Sequence, residues 1–279
     1  LKRIGFIGAG SMAEAMIAGL IKGGVYTPEQ IIVANRSNKE RLTELATTYG
    51  IETTQDKQNL AKRATIIVLA MKPKDVKAGI DGIEDSLTNQ LIVSVLAGIS
   101  MRTISSILGK EMAIIRAMPN TSATIAKSAT AIAASAQVTT EQLEQCLSLF
   151  QAIGLCKVVE EHQLDAVTGV SGSGPAYVYL LVEAMEKAAI EVGLSPQIAR
   201  ELIVQTLLGS AEMIANSGKH PETLRKEVTS PNGTTEAGVT TLQDKGFEEA
   251  VIACVKSATR RSIELKEMFA ESIASANNR

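Results

Sequence analysis

The sequence predicts an α/β protein: a doubly wound parallel sheet followed by an all-helical region. Three observations carry this expectation. Up to about residue 160, short apolar or β-branched runs alternate with helix-period segments, and repeated strand–helix units form a parallel sheet covered on both faces. Beyond that point the chain reads as helices with hardly a strand between them. A length of 279 residues is also long for one hydrophobic core, so two domains are expected, 1–160 and 161–279.

Strands are expected at Arg3–Ile7, Ile31–Ala34, Ile51–Thr53, Thr65–Ala70, Leu91–Val95 and Met112–Arg116, where β-branched and apolar residues cluster. Helices are expected among them at Ser11–Lys22, Asn38–Tyr49, Asp56–Arg63, Pro73–Ser86 and Met101–Leu108. Two further strands, Thr124–Ala134 and Cys156–Val159, flank a helix at Thr140–Ala152 and extend the sheet, in parallel or mixed orientation. The later helices are Pro175–Val192, Pro196–Ser217, Pro221–Thr229, Thr234–Lys245 and Phe247–Ala274. Three of them begin at a proline, which a first helical turn tolerates because its N–H groups lack intrahelical partners. Several carry Ala, Gly, Val and Leu on broad faces. A helical unit of roughly 115 residues has limited core of its own, so these faces are expected to pack against a second copy.

The composition, 45% hydrophobic and 21% charged, is that of a globular chain and excludes disorder or a fibre. A net charge of −2, 3% aromatic residues and no Trp leave neither the basic surface nor the stacking platforms used for nucleic acid. Cys146, Cys156 and Cys254 stand in no CxxC or Cys/His spacing, and there are two histidines. No metal site, disulfide framework or Ser-His-Asp triad is therefore expected. Core thiols fit a reducing, cytoplasmic compartment. The apolar run Ile4–Gly24 contains Glu14 and Lys22 and lacks a cleavage pattern, so neither a signal peptide nor a membrane span is expected.

The first strand runs through Ile7 into Gly8-Ala9-Gly10-Ser11-Met12-Ala13, a GxGxxA pattern that opens the first helix. Gly8 permits the tight turn, Gly10 lets backbone approach a pyrophosphate, and Ala13 permits close helix–strand packing. This is the fingerprint of a Rossmann-type dinucleotide site; the alternative, a glycine-rich turn that binds nothing, does not need this strand–turn–helix context. The second strand ends at Asn35-Arg36-Ser37, without the acid that NAD-binding folds place on the ribose hydroxyls. An acid would repel a 2′-phosphate, whereas arginine grips one with parallel hydrogen bonds. These three residues read as a 2′-phosphate pocket, with NADPH preferred and NADH a second donor; the alternative is a solvated arginine. The fourth strand ends at Ala70-Met71-Lys72-Pro73, where Lys72 can meet a phosphate or the nicotinamide ribose and Pro73 can start a helix. Small residues after the fifth strand, Ala97 among them, leave room for a nicotinamide ring.

In the helical half, Leu224-Arg225-Lys226-Glu227-Val228-Thr229-Ser230-Pro231-Asn232-Gly233-Thr234-Thr235-Glu236-Ala237-Gly238 resembles the signature of pyrroline-5-carboxylate reductase. Phe6–Met12, Ala70–Pro73, Met118-Pro119-Asn120-Thr121 and Asp165–Tyr177 match the same family in order, so the resemblance covers nearly the whole chain. It implies a Rossmann domain followed by an interlocking helical dimerisation domain, with dimers able to assemble into rings. It also implies reduction of L-1-pyrroline-5-carboxylate to L-proline by NAD(P)H, with a substrate-binding hydroxyl at Thr235. Ser122 and Glu227 depart from the family pattern, which commonly has proline and an amide there.

A cyclic imine bearing a carboxylate needs an anion site and a partner for its ring nitrogen. Asn232, Gly233, Thr234 and Thr235 form a turn opening a helix, whose backbone N–H groups can take a carboxylate. Val228 and Ser230 are supporting candidates. The competing reading of this segment is ordinary helix capping, and the signature decides between them. Glu161 aligns with an acidic position near substrate in some family members; its plainer reading is a solvated carboxylate at a helix start. Ser171–Pro175 lacks the Lys-Ser/Thr of a P-loop and reads as a tight lead into a helix. Two other functions compete. A β-hydroxyacid dehydrogenase would need a catalytic lysine motif in the second half, and none of its lysines has one. A non-catalytic NADP sensor would have no use for the Thr235 segment.

Overall fold

The computed structural model describes residues 2–277. Its sheet has eight strands: β1 (Ile4–Ile7), β2 (Ile31–Ala34), β3 (Glu52–Thr54), β4 (Ile66–Leu69), β5 (Leu91–Ser94), β6 (Ala113–Met118), β7 (Ser128–Ala134) and β8 (Gly154–Val158). Their order is β3-β2-β1-β4-β5-β6-β7-β8. Neighbours are parallel except β6 and β7, so the orientation is mixed. The chain leaves β1 first toward β2 and later returns on its other side as β4. That reversal opens a crevice at the carboxyl ends of the two strands, the place where such sheets hold ligands.

β1, β2, β4 and β5 are buried along their whole length, which is why they read as continuous apolar runs. The period of two still sorts their side chains. Phe6 and Val68 join Met16, Leu20, Leu45 and Phe150 on one face. Ile7, Ile67 and Leu69 join Leu60, Leu96 and Ile104 on the other.

The covering helices are α1 (Ser11–Lys22), α2 (Lys39–Tyr49), α3 (Lys57–Arg63), α4 (Val76–Ile80), α5 (Met101–Leu108), α6 (Thr140–Gln151) and α7 (Leu164–Val167). Asn38, Asp56, Ser100 and Thr139 cap α2, α3, α5 and α6 with their side chains. Gly50 and Gly109, both at positive φ, end α2 and α5. Two expectations are corrected. Pro73–Ser86 is not one helix: it is a 3₁₀ turn at Pro73–Asp75, then α4, then a 3₁₀ turn at Glu84–Ser86. Asp81 is extended and Gly82 has φ 78°, which ends the helical run. The strand expected from Thr124 begins at Ser128, because Thr121–Ile125 winds into a 3₁₀ turn. Asn120 accepts the Ser122 N–H at 3.1 Å, and Ala126 at φ 57° turns the chain into β7.

Contacts divide the chain into a unit of Leu1–Ser173 with Lys256–Arg279 and a unit of Gly174–Val255, a division other than one at residue 160. The second unit contains α8 (Gly174–Glu191), α9 (Pro196–Asn216), α10 (Pro221–Glu227), α11 (Thr234–Asp244) and the start of α12 (Phe247–Asn277). The rest of α12 packs in the first unit, where Leu265 and Phe269 lie against Gly98. There Ser262 Oγ donates to the buried Asp165 carboxylate at 2.8 Å, and Lys266 pairs with the same group.

Within the second unit Ala199 and Ile203 are the buried apolar side chains. Tyr179, Leu180, Val192, Leu202, Leu208 and Met213 are exposed in the single chain. So much open apolar surface marks an interaction face. No helix among the described residues is long and apolar enough to cross a membrane.

Candidate active site

A cleft of about 750 Å³ opens at the carboxyl ends of β1, β2 and β4, within the usual range for a small-molecule site. Of the expected cofactor residues, Ile7, Gly8, Ala9, Gly10, Ser11, Met12, Asn35, Arg36, Ser37, Ala70, Met71 and Lys72 line it. Pro73 and Ala97 are not among its lining residues. Pro73 starts the 3₁₀ turn after β4, and Ala97 sits on the loop after β5.

Two glycines shape the floor. Gly8 has φ 113°, and a Cβ there would stand 2.5 Å from the Ala70 carbonyl carbon and oxygen. A side chain would collide with backbone, so the turn demands glycine. A Cβ at Gly10 would meet nothing closer than Ala70 O at 3.9 Å. The turn itself therefore does not demand glycine at position 10, and a side chain there would take up space in the cleft. Gly10 is also the N-cap of α1, and no side chain caps that helix. The first-turn N–H groups, which a helix cannot satisfy internally, therefore have no side-chain cap. The open Gly10 face and the uncapped α1 fit the pyrophosphate of a dinucleotide.

At the end of β2, Asn35 Oδ1 accepts the N–H groups of Ser37 and Asn38 at 3.1 and 3.0 Å. Asn35 thus builds the loop. The Arg36 carbonyl is held by Gln55 Nε2 at 3.0 Å, while the arginine remains exposed along the cleft. Lys72 and Lys74 supply positive charge from the β4 side. Lys74, Asn38, Arg41, Thr121 and Thr124 line the cleft without having been proposed as cofactor residues from the sequence. The Met118–Thr121 stretch was the available signal for the threonines.

The six candidate substrate residues fall in one turn of the second unit. Val228 ends α10, Gly233 is the N-cap of α11, and Thr234 and Thr235 are its first residues. Gly233 N–H donates to Ser230 O at 3.0 Å, and a Cβ at Gly233 would stand 2.5 Å from Ser230 Oγ. Asn232 has φ 57° and donates its N–H to the Glu236 carboxylate at 2.7 Å. No side chain caps α11 either, so the N–H groups of Thr234, Thr235 and Glu236 have no partner within the helix.

Glu161 is a half-buried, paired carboxylate rather than a free surface one. It accepts Arg116 Nη1 at 3.0 Å and the Met101 N–H at 2.9 Å. It thereby neutralises a buried arginine, a charge costly to leave unpaired, and caps α5. Thr168–Gly172 forms a π-helical turn leading into α8, with Asn120 Nδ2 bonded to Ser171 O at 3.0 Å. Burial raises the Cys146 thiol and pushes Cys156 up to about 11, so neither is a poised nucleophile.

Comparison with known proteins covers both halves. Residues 161–265 match the family model for pyrroline-5-carboxylate reductase dimerisation. Residues 3–98 match that for NADP oxidoreductase, coenzyme F420-dependent. Pyrroline-5-carboxylate reductase 2 of Bacillus subtilis is 51% identical over 270 residues, 97% of each chain. The chain belongs to the pyrroline-5-carboxylate reductase family. A solved member from Coxiella burnetii is 37% identical, with a TM-score of 0.89 over 95% of this chain and 98% of that one. The Plasmodium falciparum pyrroline carboxylate reductase, solved with NADP bound, is 26% identical, with a TM-score of 0.86 over the same shares. The expected fold is thus that of the family, a Rossmann-like sheet domain followed by a helical dimerisation domain. Family membership makes the chain an oxidoreductase using a nicotinamide cofactor, and it sets aside the dehydrogenase and sensor alternatives.

Proposed function

We propose that this protein reduces L-1-pyrroline-5-carboxylate to L-proline, the last step of proline biosynthesis, with NADPH as the preferred donor and NADH as a second one. One observation carries the reading. The 51% identity to a curated reductase extends over 270 residues, 97% of this chain, and so spans both halves.

Residues 1–160 hold the cofactor, and residues 161–279 hold the substrate turn and the dimer face. The N–H groups of α1, with Gly8, Ala9, Gly10, Ser11 and Met12, take the pyrophosphate. Arg36 and Ser37 take the 2′-phosphate on a loop braced by Asn35, and Lys72 meets a phosphate or the nicotinamide ribose. When bound, the reduced nicotinamide supplies the hydride that the imine carbon receives.

The backbone N–H groups of Thr234 and Thr235, at the positive end of α11, bind the substrate carboxylate. Gly233 and Asn232 let the backbone come close, with Val228 and Ser230 shaping the turn. Thr235 Oγ1 hydrogen-bonds the ring nitrogen and orients it. A threonine hydroxyl is a poor acid near neutral pH, so the proton is carried in by the iminium form or comes from water. Rate enhancement then rests chiefly on holding the imine in place. Two copies pair through the helical faces, as a homodimer or as part of a higher ring of dimers. The reducing state expected of the thiols supports a cytoplasmic location.

Purified protein given L-1-pyrroline-5-carboxylate should oxidise NADPH and form proline in equal amount, faster than with NADH. Folded protein that binds NADPH but forms no proline would overturn the assignment.

A further inference from the structure

The N-terminal turn of α1, whose first residues line the cleft, carries a conflict. Glu14 lies in the first turn of α1, where a carboxylate stabilises the helix but repels an anion docking at the same end. Arg41, from the first turn of α2, lines the cleft. Its guanidinium is committed in three directions. Nη2 pairs with Glu14, Nη1 lies 2.7 Å from Glu44 Oε2, and Nε donates to the Ala9 carbonyl at 3.1 Å. Tyr49 OH donates to the other Glu14 oxygen at 3.1 Å. The Arg41 backbone is fixed in turn, because its N–H donates to Asn38 Oδ1 at 2.8 Å. The side chain is about four-fifths buried, at 19% exposure.

We propose that Arg41 is a positioning residue for the pyrophosphate: it fixes the Ala9 carbonyl and holds and neutralises Glu14, leaving the α1 N-terminus open to an anion. The Ala9 carbonyl lies between the two glycines of the fingerprint. Turned toward Arg41, it is satisfied without facing the ligand. Glu14 keeps its favourable place at the helix start, and its charge is cancelled by a group anchored on a different element. Arg36 and Arg41 therefore differ in kind. Arg36 distinguishes NADPH from NADH, whereas Arg41 serves the part the two share. This inference rests on the reading of the cleft as the dinucleotide site.

The test is direct binding, with NADPH and NADH fluorescence titrated against the folded protein. Arg41→Ala should raise both dissociation constants by the same factor, about tenfold, because the uncompensated Glu14 carboxylate then repels the pyrophosphate at the helix N-terminus. Adding Glu14→Gln to Arg41→Ala should recover most of that loss, since the uncompensated carboxylate is then gone. A merely structural defect would not respond to Glu14. If Arg41→Ala does not fold, Arg41→Gln with and without Glu14→Gln serves in its place. Unchanged dissociation constants, a loss confined to NADPH, or no recovery with Glu14→Gln would overturn the proposal. Wild-type protein that binds neither dinucleotide would instead overturn the reading of the cleft.

Discussion

Gly8 and Gly10 sit two residues apart in the same turn, and alanine at each should fail differently. At Gly8 the new methyl would stand 2.5 Å from the Ala70 carbonyl and 2.6 Å from Met71 N, in a residue held at φ 113°. Those neighbours are backbone atoms at the end of a central strand and cannot swing aside. Strained backbone at such φ costs about 1–3 kcal/mol, and relieving the overlap adds a comparable amount. Gly8→Ala should therefore destabilise the first unit by about 3 kcal/mol or more. In a domain of this size that lowers the melting temperature by about 6–12 °C. Gly10→Ala meets nothing within van der Waals distance except Ala70 O at 3.9 Å. Its melting temperature should stay within about 2 °C of wild type, while its dissociation constant for NADPH rises at least about tenfold. Differential scanning fluorimetry and a fluorescence titration read the two effects separately. A Gly10→Ala protein that binds NADPH as tightly as wild type would refute the placing of the pyrophosphate. A Gly8→Ala protein of unchanged stability would refute the geometry of the turn.

Arg36→Ala should raise KM for NADPH about tenfold or more while leaving KM for NADH within about twofold; equal effects would remove Arg36 from the 2′-phosphate. Thr235→Ala should lower kcat at least about tenfold, the loss of roughly 1.4 kcal/mol made in the transition state, in steady-state kinetics at saturating cofactor. An unchanged kcat would remove its hydroxyl from the mechanism. The hydrogen bond from Arg63 holds the Glu52 carboxyl below its usual range, with Arg3 adding to the effect. A lowered folded-state pKa stabilises above the unfolded value, about 4.3, and the gain is lost as pH falls through the folded value. Arg63→Ala should therefore melt earlier than wild type at neutral pH, and the gap should close under acid. A gap that widens as pH falls would contradict this assignment of sign.

The parts of the fold that depend on local chemistry were readable from the residues. α1 and α5 have the expected limits, Ser11–Lys22 and Met101–Leu108, because the fingerprint sets one start and Ser100 with Gly109 brackets the other. Strands buried on both faces announced themselves as unbroken apolar runs. What escaped depends on partners distant in sequence. Glu161 looked like a surface acid because Arg116, its buried counter-ion, lies 45 residues earlier. Nothing in the sequence singles out Arg41, because its partners Glu14 and the Ala9 carbonyl are 27 and 32 residues away. Thr124 and Ile125 have the β-branched character of a strand, yet the Asn120 side chain winds them into a turn. The last helix shows the same limit. Its periodicity is continuous, and nothing local indicates that Leu265 and Phe269 pack against the Gly98 loop of the first unit.

The most direct test of the central claim is the product of a single reaction. Purified protein, L-1-pyrroline-5-carboxylate and NADPH are combined, and proline is quantified against NADPH consumed. One proline for each NADPH oxidised, with the rate falling at least about tenfold in Thr235→Ala, is the result the account predicts. NADPH consumed without proline, or proline formed as fast by Thr235→Ala as by wild type, would contradict it.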